Sequence, residues 1–92
     1  MGRSEFKVPG GKLLRARGES KDGIVEFVQV TGDFFMTPED DLEDLEKTLV
    51  GVQADARNIS RIVCSFFAER RTIITGASPE DFALVISNAL EC

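Results

Sequence analysis

Residues 7–35, KVPGGKLLRARGESKDGIVEFVQVTGDFF, decide the fold because they contain two strand patterns joined by a strong turn signal. The turn signal is Asp22-Gly23, a dipeptide favoured in two-residue hairpin turns, where the central residues need a positive φ. The segment before the turn alternates apolar or small residues with charged ones, and the segment after it is rich in β-branched residues. The sequence therefore predicts an antiparallel hairpin with strands over about 12–20 and 24–31.

The second strand of this hairpin does not alternate cleanly between apolar and polar residues. Glu26 shares its parity with apolar residues such as Val28, and Gln29 shares its parity with Phe27. An antiparallel sheet with one face on its helices and one in water is expected to alternate more regularly than this. One explanation is that the second face is also covered, by another protein.

The rest of the chain is predicted to add a short entry strand and three helices. A brief extended segment precedes Pro9 and the Gly10-Gly11 turn, and residues 72–75 are also expected to be extended. Thr37-Pro38 and Ser78-Pro79 are helix-start signals, and Gly51 is a helix-end signal. The prediction is one α+β domain over residues 1–92, with three helices packed on one face of a small antiparallel sheet. The predicted strands are about 6–8, 12–20 and 24–31, and the predicted helices are about 38–50, 56–69 and 79–90.

The chain has few of the side chains that enzymes use for chemistry. It contains no histidine, which removes the commonest general base and metal ligand. Cys64 and Cys92 are too few and too far apart for a disulfide framework or a metal cluster. The acidic residues at 39–41 and 43–44 are explained by the helix dipole and by solvation. We therefore predict neither a catalytic residue nor a metal site.

The net charge of −5 conceals a basic hairpin on an acidic body. Residues 1–21 hold six basic and two acidic side chains, whereas the remainder holds five basic and fourteen acidic ones. This asymmetry indicates a strand surface that meets an anionic group, although an ordinary solvated strand face has the same pattern. Nucleic acid is disfavoured because the basic stretch is short and lacks interleaved aromatic residues. No apolar run is long enough to cross a membrane.

Two local features are candidate contact sites. Gly10-Gly11, flanked by Lys7 and Lys12, is similar to a small phosphate-contacting loop, but the turn alone also explains the glycines. The pair Phe34-Phe35 (FF in the quoted stretch) leaves the second strand. Because consecutive residues of an extended chain point opposite ways, one ring is expected in the core and the other is available to a partner.

Five short motifs follow one another along the chain: Gly10-Gly11-Lys12, Asp22-Gly23, Gly32-Asp33-Phe34-Phe35, Leu49-Val50-Gly51 and Ser78-Pro79-Glu80-Asp81-Phe82. Their order and spacing resemble the C-terminal accessory domain of lipoate–protein ligases, and the likeness runs over residues 7–90, nearly the whole chain. In that family a large catalytic domain binds lipoate and ATP and forms lipoyl-adenylate. It then passes the lipoyl group to a lysine of a lipoyl carrier domain, while the small domain closes over the active site.

With the domain starting at Met1, the resemblance implies the separate small subunit of a two-chain ligase. The expected partner is a large catalytic subunit in a cytoplasmic heterodimer, and a lipoyl carrier domain is the indirect partner. Mg-ATP and lipoate are expected in the large subunit, and no cofactor in this chain alone. The expected adenylate-proximal residues are Lys7, Gly10, Gly11 and Lys12, and the expected contacts with the large subunit are Arg15, Arg17, Asp33, Phe34 and Phe35.

Two other interpretations remain open on the residues alone. One is a small regulatory module that binds an anionic ligand through the basic hairpin. The other is a purely structural adaptor.

Overall fold

The protein has an α+β fold with its helices on one side of the main sheet, as predicted. The structure, a computed structural model, describes residues 2–91. In that range β1, β2 and β3 form an antiparallel sheet with β2 in the centre, and β4 and β5 form a separate antiparallel ribbon. The elements in chain order are β1 (Gly2–Lys7), β2 (Leu13–Lys21), β3 (Ile24–Gly32), β4 (Phe35–Thr37), α1 (Asp40–Leu49), α2 (Ala56–Arg70), β5 (Ile73–Thr75) and α3 (Pro79–Ala89).

The largest errors in the predicted boundaries lie at the first strand and the first helix. β1 covers Gly2–Lys7 instead of residues 6–8 because it pairs with β2 along its whole length. The first helix begins at Asp40 and not at Pro38. The reason is that Thr37 is not its N-cap but the last residue of β4, paired with Ile73.

A β-bulge explains the irregular alternation of the second hairpin strand. Glu19 is paired with Phe27, whereas the next residue, Ser20, is paired with Val25, so Glu26 is an extra residue in β3. The extra residue changes the parity of the strand. Val25 and Val28 are therefore both buried on the helix side despite their odd spacing. The pattern needs no covering protein to account for it.

The helices cover the inner face of the three-stranded sheet closely. α3 packs on β1 and β2, and α1 packs on β3. Small residues allow this approach, since a Cβ on Gly18 would lie 2.7 Å from Leu90 Cδ2. A hydrogen bond from Ser4 Oγ to the carbonyl oxygen of Val85 also joins β1 to α3. The largest fully buried side chains are Leu14, Val25, Leu45, Leu49, Ile59, Val63, Phe82, Val85 and Ile86.

The second and third helices both begin with a side-chain cap, and the third starts at the predicted Ser78-Pro79. The Asp55 side chain accepts a hydrogen bond from Asn58 N at 3.1 Å and caps α2. Ser78 and Asp81 form a reciprocal capping box at α3. Cys64 is half-buried in α2, and Cys92 lies outside the described residues. None of the helices in residues 2–91 combines the length and apolar character of a membrane span.

Candidate functional site

Three connecting segments meet at one end of the domain, which we call the loop end. They are the β1–β2 turn (residues 8–12), residues 32–35 and the segment around Gly76. The turn is closed by a 2.8 Å hydrogen bond from Gly11 N to Val8 O, and Lys12 N donates to Gly76 O at 3.3 Å. A Cβ on Gly11 would lie only 2.8 Å from that same Gly76 oxygen. The glycines are therefore needed for close backbone packing between the turn and the segment before α3.

The loop end offers an anion lysine side chains rather than a row of free backbone N–H groups. The N–H groups of Gly11 and Lys12 already donate within the chain. The side chains of Lys7 and Lys12 are both exposed, Lys7 at the end of β1 and Lys12 beside Gly76. A contact between this loop and a phosphate would thus depend on the two ammonium groups.

The two phenylalanines after β3 point in opposite directions, as the sequence indicated. The Phe34 ring is half-buried and lies edge-on to the ring of core residue Phe82, with the ring centroids 4.9 Å apart. Phe35 is 73% exposed. Phe34 is therefore tied into the core, and Phe35 is the member of the pair that is accessible to a partner.

Ile73 joins Phe35 on the exposed face of the β4–β5 ribbon. Phe35 is opposite Thr75, and Thr37 is opposite Ile73, so the two apolar side chains are diagonal neighbours on one face. Ile73 is 65% exposed. A depression of about 260 Å³ adjoins Phe35. Sequence reasoning missed Ile73, because the extended segment was visible but its strand partner was not.

The outer face of the three-stranded sheet, away from the helices, carries arginines in register. Arg17 of β2 is directly opposite Arg3 of β1 on one side and Gln29 of β3 on the other. Arg17 Nε donates to Gln29 Oε1 at 3.1 Å, and Arg17 Nη2 donates to the same oxygen. Arg15 Nε lies 3.5 Å from Glu5 Oε1. These side chains border a depression of about 430 Å³. Arg3 was missed because the entry strand was predicted to begin after it.

A second depression connects the outer face to the loop end. It has a volume of about 180 Å³ and is lined by Leu13, Arg15, Thr31, Gly32 and Asp33. Asp33 itself is exposed, and its N–H donates to Leu13 O at 3.2 Å. The predicted contact residues Arg15, Arg17 and Asp33 thus lie along one connected surface that ends at the loop end.

Acidic side chains on α1 have structural partners. Asp41 lies in the first turn of α1, where the helix dipole favours an acid, but it is buried and bonded to Arg70 and Thr72. The prediction that this acid faces solvent was therefore wrong. Glu46 is half-buried and accepts the N–H of Val30 at 2.7 Å. Burial raises the pKa of Glu46, the bond from Val30 opposes this, and the nearby charge of Glu43 adds to the rise.

These surfaces offer charged and apolar contacts. Within residues 2–91, no group of three or more histidine, cysteine, aspartate or glutamate side chains is arranged to hold a metal ion. What the surfaces present is positive charge on the outer face and at the loop end, and an apolar patch on the β4–β5 ribbon. These are means of positioning another molecule.

Several known proteins resemble this chain in sequence or in fold. Residues 5–86 match the family described as "Bacterial lipoate protein ligase C-terminus". "Lipoate-protein ligase A subunit 2" of Thermoplasma acidophilum is 33% identical over 70 residues, which cover 76% of this chain and 71% of the relative. A chain in a solved structure of "a bi-partite lipoate protein ligase and its E2 lipoyl domain" from the same organism superposes with a TM-score of 0.80. That alignment has 28% sequence identity and covers 91% of each chain.

Proposed function

Because the chain belongs to the family of lipoate–protein ligase C-terminal domains, we propose that it is the small subunit of a two-chain lipoate–protein ligase. In this role it is needed, with the large catalytic subunit, for the ATP-dependent activation of lipoate to lipoyl-adenylate. The lipoyl group then passes to a lysine of a lipoyl carrier domain. The heterodimer is expected to work in the cytoplasm.

The observation that carries this proposal is the construction of the loop end. Backbone contacts at Gly11 and Gly76 hold the β1–β2 turn against the segment before α3. Lys7 is the residue before this turn, Lys12 is its last residue, and both are exposed. Phe35, two residues after Asp33, is also exposed. A fixed loop with two cations and an apolar contact suits a part that closes over a partner's active site. It does not suit one that supplies reacting groups.

The proposed contribution to the reaction is therefore positional. Mg-ATP and lipoate are held chiefly by the large subunit, and this subunit orders the loops around them. Binding energy used in this way lowers the barrier because it fixes the reacting groups and excludes water. Lys12 is the residue we place nearest to the adenylate phosphate, because its backbone is tied to Gly76 O at 3.3 Å. A positive charge held there stabilises negative charge on the phosphate during adenylation.

The first experiment measures lipoate-dependent pyrophosphate release by this chain, by the large subunit of the same organism and by their mixture. We expect release from the mixture and none from this chain alone. Pyrophosphate release by this chain alone, or a mixture no faster than the large subunit, would overturn the proposal.

The second experiment tests the position of Lys12 with the variants Lys12→Ala and Lys47→Ala. Lys47 is an exposed lysine on α1, paired with Glu43 at 3.4 Å, and serves as the matched control. At saturating small subunit, Lys12→Ala is expected to slow lipoyl-adenylate formation about tenfold, the effect of roughly 1.4 kcal/mol at the transition state. Lys47→Ala is expected to leave the rate unchanged. A wild-type rate with Lys12→Ala would remove Lys12 from the adenylate site.

A further inference from the structure

The outer face of the sheet is strongly basic for a chain with a net charge of −5. Along β1 and β2 this face exposes five basic side chains, Arg3, Lys7, Arg15, Arg17 and Lys21, and two acidic ones, Glu5 and Glu19. The alternate residues of the paired part of these strands, at positions 2, 4 and 6 of β1 and 14, 16 and 18 of β2, are buried or half-buried on the helix side. The positive charge is thus concentrated on a single surface.

Arg3 and Arg17 are arranged unfavourably for a surface that meets only water. They are direct cross-strand partners in the β1–β2 pair. Like charges directly opposite each other destabilise a sheet. Among residues 2–91, neither arginine has an acidic partner within ion-pair distance. A carboxylate bound in the depression that both arginines line would reduce this repulsion.

Arg17 is already held in a fixed position for such a contact. Its Nε and Nη2 both donate to Gln29 Oε1, and its guanidinium carbon lies 5.9 Å from the centre of the Phe27 ring. The rest of its five donors are available to another acceptor. An arginine that is oriented before binding loses less conformational entropy when it binds.

Arg15 is held less firmly by its ion-pair partner, Glu5. Its 3.5 Å contact with Glu5 joins two exposed side chains, and such a surface ion pair contributes little to stability. Arg15 can therefore exchange Glu5 for a carboxylate of another molecule. Glu5 and Glu19 lie among the arginines, and their negative charges would repel a compact polyphosphate ligand. A protein surface with a few basic groups at its rim would match this mixture of charges better.

We propose that the outer face, through Arg3, Arg15 and Arg17, is the docking surface for an acidic patch of the large catalytic subunit. The inference rests on the proposed function. The large subunit is the occupant because the depression lined by Leu13, Arg15, Thr31, Gly32 and Asp33 joins this face to the loop end. A subunit whose active site lies beneath the loop end reaches the arginines across that connection.

Docking through exposed charges has a kinetic signature. Complementary charges raise the rate constant for association, and the effect weakens as salt screens them. The association rate constant of the two subunits should therefore fall as ionic strength rises, and that fall should depend on the arginines of the outer face.

The experiment measures association with the large subunit between low and high salt for three forms of this chain. They are the wild type, the double variant Arg3→Gln/Arg17→Gln, and the control Arg57→Gln/Arg61→Gln. The control removes the same charge from exposed positions on α2. At low salt the first double variant is expected to associate at least tenfold more slowly and to show a flatter salt dependence. The control is expected to stay within about twofold of the wild type.

Four outcomes keep this inference separate from the proposed function. Pyrophosphate release at saturating subunit should be restored in the Arg3→Gln/Arg17→Gln variant, since these residues dock and do not react. If both double variants associate like the wild type, the docking surface lies elsewhere even when the mixture is active. If the arginine variant instead loses binding only to a lipoyl carrier domain or to inorganic phosphate, the assigned occupant is wrong. An inactive wild-type mixture would overturn the proposed function itself.

Discussion

Thr72 Oγ1 donates a 2.6 Å hydrogen bond to Oδ2 of Asp41, a buried side chain in the first turn of α1. Arg70 Nη1 lies 3.2 Å from the other oxygen of the same carboxylate and 2.7 Å from Asp44 Oδ2. Asp41 follows β4 closely in the chain, and Thr72 directly precedes β5. The Asp41 carboxylate therefore helps to hold β4 and β5 together, the two strands that carry Phe35 and Ile73.

Replacement of Asp41 by alanine is expected to lower the free energy of unfolding by about 2 kcal/mol, because it leaves the Thr72 hydroxyl and part of the Arg70 guanidinium without their acceptor. Urea denaturation of the isolated chain measures the loss. Asp40→Ala is the control, since Asp40 is an exposed acid in the same turn. It is expected to cost only a few tenths of a kcal/mol. Equal losses in the two variants would contradict the structural role of Asp41.

This network also shows where sequence reasoning stopped. Local patterns predicted the Asp22-Gly23 hairpin, the three helices and the opposite directions of Phe34 and Phe35, because each depends on neighbours in the chain. The pairing of β4 with β5 depends on residues distant in sequence. The sequence of a short run such as residues 72–75 indicates an extended conformation, but it does not show which strand the run pairs with. For this reason Asp41 looked like one more solvated acid, and Ile73 was not recognised as a surface residue.

The β-bulge at Glu26 changes the evidence for the candidate site in a similar way. The extra residue accounts for the mixed parity of β3 without a covering protein. The case for the outer face now depends on the Arg3–Arg17 pairing and on the depression beside it. Neither was visible in the sequence, because cross-strand register cannot be read from one strand alone.

Gly11→Ala tests the packing of the loop end. An alanine Cβ would lie 2.8 Å from Gly76 O and 3.0 Å from Val8 Cγ1, so the β1–β2 turn must move. We expect a loss of about 1–2 kcal/mol in unfolding free energy by urea denaturation. A slower adenylation reaction in the two-chain mixture is also expected, because Lys12 shifts with the turn.

Gly10→Asn is the matched change in the same turn. Gly10 has a φ of +69°, and no atom lies within 4 Å of the place that its Cβ would occupy. Asparagine tolerates a left-handed conformation better than most residues, so this variant is expected to lose no more than about 0.5 kcal/mol. A Gly11→Ala variant as stable as Gly10→Asn would show that the contact with Gly76 does not constrain the turn.

Glu46 is expected to give the protein a pH-dependent term in its stability. Burial raises the pKa of Glu46 above the ordinary value of 4.5, so the folded chain holds this proton to a higher pH than the unfolded chain does. The stabilisation of the folded state by this bound proton is fully present below the pKa of Glu46 in the unfolded chain. It is lost as the pH rises through the pKa of Glu46 in the folded chain. Glu46→Gln keeps an acceptor for Val30 N–H but does not titrate.

The stability of Glu46→Gln relative to wild type should therefore increase as the pH is raised from about 4 to about 7. Urea denaturation at a series of pH values measures the difference. Glu69→Gln, which replaces an exposed acid on α2 in the same way, is measured beside it as the matched control. A Glu46→Gln difference that stays flat or decreases with pH would contradict the desolvated environment of this carboxyl group.

Alanine substitutions at Phe34 and Phe35 are expected to separate folding from subunit association. Phe34→Ala removes a half-buried ring that packs edge-on to Phe82 at 4.9 Å, and we expect a loss of about 2 kcal/mol in unfolding free energy. Phe35→Ala removes a ring that is 73% exposed and should change stability by less than about 0.5 kcal/mol. In the proposed heterodimer, however, Phe35→Ala should weaken equilibrium binding to the large subunit about tenfold, as the loss of an aromatic anchor does.

Val50→Ala is the control for the binding measurement, because Val50 is another exposed apolar side chain but lies at the C-cap of α1. It is expected to bind the large subunit like the wild type. Ile73→Ala, on the same ribbon face as Phe35, is expected to weaken binding in the same direction. If Phe35→Ala and Ile73→Ala both bind like Val50→Ala, the ribbon does not contact the large subunit. Association of the two subunits would then depend on the outer face and the loop end. The arginine variants test the outer face, and the Lys12 variant tests the loop end.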